Sequence, residues 1–367
     1  MNLPVGEGHA VRLNAITGLR WWAALGVFAY HVTNVATLPG SIAAAVRPGY
    51  LGVTFFFVLS GFVLTWSMRA GTPKRTFYWR RFARIYPLHL LTLLAAIPVF
   101  YSFHPDTADW WVKPFSIPVL MLSVFVIQGW WRDPTILFSG NPAAWTLTAE
   151  AFFYATHPFL ASGLRRTRLR GALIAAAGTI AFAAICRIVI IGNPGSWFAG
   201  LPWPILRLNE FVLGMTLAWA MRQGWRFRVH PLAIIAVAAF YFIGIVKIPA
   251  MASIAAWTPE VATVLSAALI VGVASREIAG KSKWLGARPL VALGEWSFAF
   301  YLIHATFIYL ARSLFGVQPA GLHSAAMVAG LLAASIVVSW LLHSFFERPV
   351  ESRLRAWQAA RMARSIR

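Results

Sequence analysis

Ten apolar runs of about 17–25 residues punctuate the chain, at approximately 14–35, 49–68, 84–103, 143–164, 170–192, 204–221, 231–247, 259–275, 290–315 and 323–346. A helix of ~20 residues rises ~30 Å, the thickness of a hydrocarbon core, so runs of this length leave little option beyond a bundle of membrane-crossing helices. Hydrophobic residues make up 59% of the 367 positions and charged ones 12%, for a mean hydropathy of +0.67. A soluble domain of this size needs more polar surface. The predicted class is an all-α polytopic membrane protein with about ten transmembrane helices. Its 18 Trp suit interfacial belts. The first run has only Arg12 ahead of it and contains Arg20 and His31, which a cleaved signal peptide has no use for, so it is expected to be a retained span.

Basic residues set the expected topology. Segment 115–131 is ambiguous, because Pro114 and Pro118 interrupt its start. If it crossed, the RRTRLR loop at 165–170 and the loops after it would change sides. If it is re-entrant or interfacial, Arg12 and the clusters at 69–84, 165–170, 222–228, 276–288 and 348–367, together 24 of the 32 Lys and Arg, all face one side. The positive-inside rule favours that arrangement, with both termini cytoplasmic. The formal charge of +21 is then largely a topology signal, and nucleic acid is not an expected partner. The single Cys186 offers neither a disulfide nor a metal set, and no metal is expected. No fixed-period repeat interrupts the chain. It reads as one membrane domain, 1–350, with a short basic tail, 351–367. The Trp- and Pro-rich stretch 104–142 is expected on the outer side as a lid or re-entrant element.

Ionisable side chains within spans are costly, and by default they face a bundle interior or an aqueous cavity. Arg20 and His31 are eleven residues apart, which places them on one helix face about 16 Å apart along the axis. Arg20 falls in the cytoplasmic half and His31 in the outer half. A snorkelling Arg and a core His bonded to a carbonyl is the plain alternative. Glu150 in WTLTAEAFFY, Glu210 near Arg207, and His304 in SFAFYLIHA fall at a depth similar to that of His31. Each alone suits an interhelical hydrogen bond; together they point to one polar chamber open to the outside. At the cytoplasmic mouth, FYWRRFARIYP sets Arg80, Arg81 and Arg84 just before the third run. They serve either as topology determinants or as a phosphate clamp, since guanidinium forks match phosphate oxygens. No HExxH, Walker loop or usable GxSxG competes, and Ser60 in FVLSGF reads as a close-packing position.

These blocks resemble the membrane acyltransferase 3 family. LNAITGLRWWAALGVFAYH is similar to its first-helix signature, GYLGVTFFFVLSGF to its Phe-rich Leu-Ser-Gly block, RRFARIYP to its basic block and WTLTAEAFFY to its Trp-Ser-Leu-Ser-x-Glu block. SFAFYLIH and FERPV resemble later, weaker blocks. Thr146 and Thr148 stand where serines are usual, and Ala305 and Thr306 follow His304 where proline is common.

The resemblance implies an O-acyltransferase of the bacterial inner (cytoplasmic) membrane, acting on a sugar hydroxyl of a surface polysaccharide or exported glycoside. Its donor would be acyl-CoA, acetyl-CoA first among the options, with the phosphates held by Arg80, Arg81, Arg84 and Arg20. His31 would act as general base or as acyl relay, with Glu150 orienting or charging it. Glu210, Tyr301, His304 and Trp145 would line the acceptor side. Membrane lipids are the expected surroundings. A glycolipid transporter or flippase is the rival class, since it also uses a polar chamber and a basic mouth. The absence of a visible inverted repeat and the Arg20–His31 spacing favour the enzyme.

Overall fold

The computed structural model describes residues 12–69 and 71–364, so Arg367 of the basic tail lies outside the described residues. The main helices are α1 (Asn14–His31), α2 (Gly52–Trp66), α3 (Lys74–Phe100), α4 (Ile117–Val124), α5 (Trp145–Leu164), α6 (Leu169–Gly192), α7 (Leu208–Arg222), α8 (Pro231–Lys247), α9 (Thr258–Ile278), α10 (Arg288–Phe315), α11 (Leu322–Leu341) and α12 (Arg348–Arg364). The only sheet among the described residues is a two-residue parallel pair, β1 (Tyr101–Ser102) with β2 (Lys113–Pro114).

Each of the ten apolar runs is helical. Among the described residues, six helical segments are long and apolar enough to cross a membrane: Gly40–Trp66, Lys74–Phe100, Leu169–Gly192, Pro249–Ile278, Arg288–Phe315 and Leu322–Arg364. The other four runs differ for physical reasons. α1 and α5 carry Arg20, His31, Glu150 and His157, which lower their mean apolarity. α7 and α8 have 15 and 17 residues, rising about 22–26 Å. Within 115–131, α4 has eight residues, a rise of ~12 Å that is too short to cross.

Two compact units divide the chain. The first takes the described residues within Met1–Tyr30, Gly40–Ala70 and Thr156–Gly294; the second takes those within His31–Pro39, Gly71–Ala155 and Glu295–Arg367. α1, α5 and α10 therefore contribute residues to both.

In the first unit, α2 and α7 approach at backbone distance. A Cβ on Gly61 would collide with the carbonyl of Phe211, and one on Gly214 with the carbonyl of Val58. Small residues are needed there because attraction between helices in lipid rests on close van der Waals packing. Val58, Leu59, Phe62 and Leu213 fill the seam. Arg222, at the end of α7, closes the end of α2: its Nη1 donates to the carbonyls of Trp66 at 2.6 Å and Met68 at 2.9 Å. The Trp66 carbonyl is among those that a helix C-terminus leaves without intrahelical partners.

In the second unit, α11 runs into a π-helical stretch, Leu342–Glu347, and then into α12. α12 docks along the first half of α3. The Trp79 indole donates to the Leu354 carbonyl at 2.8 Å, and Trp79 and Trp357 pack with centroids 5.1 Å apart. The basic tail is thus a packed helix through Arg364.

Gly214→Val forces a side chain onto backbone with no room to yield, so about 1–3 kcal/mol of destabilisation is expected. It would be read as a lowered midpoint in SDS titration of the purified protein in micelles; a midpoint equal to wild type would contradict the close α2–α7 contact.

Candidate functional site

The second unit brings His31 and His304 together. His31 is the last residue of α1, and its ring lies 5.1 Å from that of His304, edge-on at 68°. The His304 Nδ1 sits 2.7 Å from the carbonyl oxygen of Tyr301. A carbonyl only accepts, so in the neutral ring Nδ1 carries the hydrogen and Nε2 presents its lone pair. That Nε2 is buried and has no hydrogen-bond partner. Phe300 stacks on the His304 ring at 6.1 Å and 11°, which fixes its plane.

The α10 segment bearing Tyr301 and His304 is held by the chain just before and within α5. Asn141 Nδ2 donates to the Leu302 carbonyl at 2.6 Å, while its Oδ1 accepts from the Ala143 amide at 3.1 Å. Thr146 Oγ1 donates to the Ala143 carbonyl at 3.1 Å and lies 3.1 Å from the Tyr301 hydroxyl, which makes Tyr301 the donor to Thr146. Thr148 instead faces the segment between α4 and α5, accepting from the Gly129 amide at 3.1 Å. A Cβ on Gly129 would press on the Thr148 side chain and the Trp145 carbonyl, so Trp145 sits where this segment meets α5.

The same unit fastens the rest of the segment between α3 and α5 with buried polar contacts. His89 Nε2 donates to the Ser123 carbonyl at 2.8 Å, the Ser123 and Ser139 hydroxyls are 2.6 Å apart, and the Tyr101 hydroxyl accepts from the Gly140 amide at 2.7 Å. Non-helical backbone at membrane depth is tolerated only when its groups are satisfied in this way.

Glu150 is half-buried on α5 and accepts from the Tyr154 hydroxyl one turn on, at 2.9 Å. The basic block, Arg80, Arg81 and Arg84, lies on the first half of α3. Within that block, Arg80 is exposed, and Arg81 is half-buried with its Nε unpartnered. Arg84 is ion-paired with Glu347, and also with Glu351 at 3.3 Å. Glu347 further pairs with His343 at 3.0 Å, and Glu351 with Arg355. The π-helical stretch ends at Glu347 and supplies this carboxylate to α3. The two glutamates are more than 260 residues from Arg84 in sequence, beyond the reach of any local pattern.

The remaining expected residues belong to the first unit. Arg20 is half-buried on α1. Glu210 is buried and ion-paired with Arg207 at 3.1 Å, with the Thr263 hydroxyl 3.5 Å from its Oε1. Arg207 also donates to Thr54 at 2.8 Å and lies over the Phe57 ring. Glu210 thus has its own local partners. Sequence reasoning missed Asn141, four residues before WTLTAEAFFY, and Tyr154, the last residue of that block.

A family model described as an acyltransferase domain matches residues 13–344, and the chain belongs to this acyltransferase family. Among curated relatives it is similar to the acyltransferase MdmB of Streptomyces mycarofaciens, at 36% identity over 93% of this chain and 92% of that protein. It is also similar to the peptidoglycan O-acetyltransferase OatA of Listeria monocytogenes, at 23% identity over 92% of this chain and 55% of that one. The O-acetyltransferase OatA of Staphylococcus aureus is likewise 23% identical, over 93% of this chain and 57% of its own length. No solved structure matches at a significant level. The apolar helices and the family together make this a multi-pass membrane protein.

Glu347→Ala removes a buried partner of Arg84, and breaking such a pair is expected to cost about 3 kcal/mol. The loss would appear as a lowered thermal midpoint in detergent. A midpoint within experimental error of wild type would mean that Glu351 alone suffices.

Proposed function

We propose that the chain is an integral membrane O-acyltransferase that moves an acyl group, acetyl foremost, from acyl-CoA to a sugar hydroxyl of a cell-surface polysaccharide or exported glycoside. The observation that carries this reading is the edge-on His31–His304 pair, with the His304 Nε2 lone pair buried and unpartnered beside His31. A buried acceptor of that kind suits a hydroxyl hydrogen of the incoming sugar, since leaving it unsatisfied costs free energy. Membership of an acyltransferase family, with relatives named as O-acetyltransferases, supports the reaction class.

In this reading His31 is the general base. It removes the proton from the acceptor hydroxyl as that oxygen attacks the thioester carbonyl. The tetrahedral intermediate collapses by breaking the carbon–sulfur bond, and the departing thiolate takes the proton back from the His31 imidazolium. The products are a sugar ester and free CoA. Tyr301 and Trp145 border the acceptor. Glu150 acts on the charge balance of the site, with Tyr154 as its hydrogen-bond donor.

Donor phosphates are assigned to Arg80 and Arg81, with Arg84 held behind them by its carboxylates and Arg20 along the donor's path. Glu210 is retained as an acceptor-side contact. The Arg20–His31 separation of about 16 Å along α1 suits a donor with a long thioester arm. We further infer ten spans with both termini in the cytoplasm of a bacterial inner membrane, from the one-sided distribution of Lys and Arg.

The test uses purified protein in lipid vesicles, given acetyl-CoA together with either peptidoglycan fragments or a glycosylated macrolide. Free CoA thiol and acetylated sugar are measured. Wild type is expected to release CoA in step with acetylation, and His31→Ala to lose about 10²–10⁴-fold in rate while keeping wild-type helicity. A His31→Ala protein with wild-type turnover would remove the base from His31. Movement of glycolipid across the bilayer with no thioester consumed would show a flippase instead.

A further inference from the structure

We propose that Arg312 is a positioning residue for His31, gripping the turn that follows it and setting where its ring stands against His304; this rests on the reading of His31 as the base. The chain leaves α1 at His31 through a single 3₁₀ turn, Val32–Asn34. Asn34 is tied to His31 directly, its Nδ2 donating to the His31 carbonyl at 3.0 Å. The Asn34 carbonyl accepts from Arg312 Nη1, near the end of α10. Just beyond α10, Gln318 accepts from the Thr37 amide and donates to the Val35 carbonyl, both at 2.9 Å.

One helix therefore holds His31 twice, by its ring through His304 and by the following backbone through Arg312. Carbonyls at a helix end commonly go to water. Here the donor is a guanidinium, and it is itself fixed. Its carbon lies 4.5 Å from the centroid of the buried Trp111 ring, which packs in turn on Tyr309 at 5.6 Å. A cation held over an indole face is attracted to it, and a planar fork keeps its donors aimed in a way that a lysine ammonium does not. The Trp-rich outer segment thereby reaches His31 through a single side chain.

Arg312→Gln keeps a donor but loses the charge and the stacking, whereas Arg312→Lys keeps the charge. In wild-type and variant proteins in lipid vesicles, the rate at which diethylpyrocarbonate modifies His31 is measured by mass spectrometry, alongside acetyl-CoA turnover. Arg312→Gln is expected to change the His31 modification rate at least about fivefold and to lower kcat by about 10–100-fold, with KM for acetyl-CoA within about twofold, as misplacement of a reacting group by ~1 Å would do. Arg312→Lys is expected to recover part of both.

In a His31→Ala background, adding Arg312→Gln is expected to leave the residual rate unchanged, the non-additive result for residues acting as a unit. A folded Arg312→Gln protein with wild-type His31 modification and wild-type kcat overturns the proposal, as does a change confined to thermal midpoint or yield. Should His31→Ala itself turn over at the wild-type rate, the base assignment fails instead, and the modification rate still decides whether Arg312 places His31.

Discussion

Backbone groups in hydrocarbon have no water to turn to, and the second unit is organised by that requirement. Helices satisfy it internally, but the chain between α3 and α5 is mostly irregular, holding an eight-residue helix, a four-residue one, two short 3₁₀ turns and a two-residue strand pair. Its polar groups are answered by His89, Ser123, Ser139, Tyr101 and Asn141, all buried. Asn141 matters most for the site, because its two ends bond α10 and the turn that leads into α5. The contacts that keep this segment from exposing bare carbonyls therefore also fix the helix carrying His304.

A second theme is how charge is handled. Arg84, Arg187 and Arg207 each meet a glutamate, Glu347, Glu260 and Glu210 respectively. Burying a guanidinium costs several kcal/mol unless its geometry is well satisfied, and Arg187 meets that cost by sharing its Nε–H between both Glu260 carboxylate oxygens, each at 2.9 Å. Arg81, by contrast with Arg84, has a buried Nε with no hydrogen-bond partner.

Much of the helix pattern was legible in the sequence. The run 231–247 is α8 residue for residue, and 170–192 is α6 less one residue. α3 begins ten residues before the run expected at 84, because Lys74–Ala83 is helical through its contact with α12 rather than through apolarity. His31 and His304 were legible only as two imidazoles at similar depth, 273 residues apart in sequence; their edge-on meeting required the fold. Glu347 and Glu351 were illegible as partners of Arg84, since FERPV gives no sign of which arginine it approaches. Glu210 reads in the sequence as one more chamber residue near Arg207, and their i,i+3 spacing is what lets the two pair across one helical turn at the start of α7.

Arg222 bears on how orientation in the bilayer is best established. It is counted with the basic loops, yet its guanidinium also seals the end of α2. Neutralising it would confuse insertion with folding, because a misoriented protein and an unravelled helix end would look alike to a reporter fused downstream. The exposed arginines at 165 and 166 carry charge without sealing a helix end in this way. Charge-reversal mapping of the loops is therefore cleanest there, and at Arg222 it would report on a hinge pin rather than on a compass.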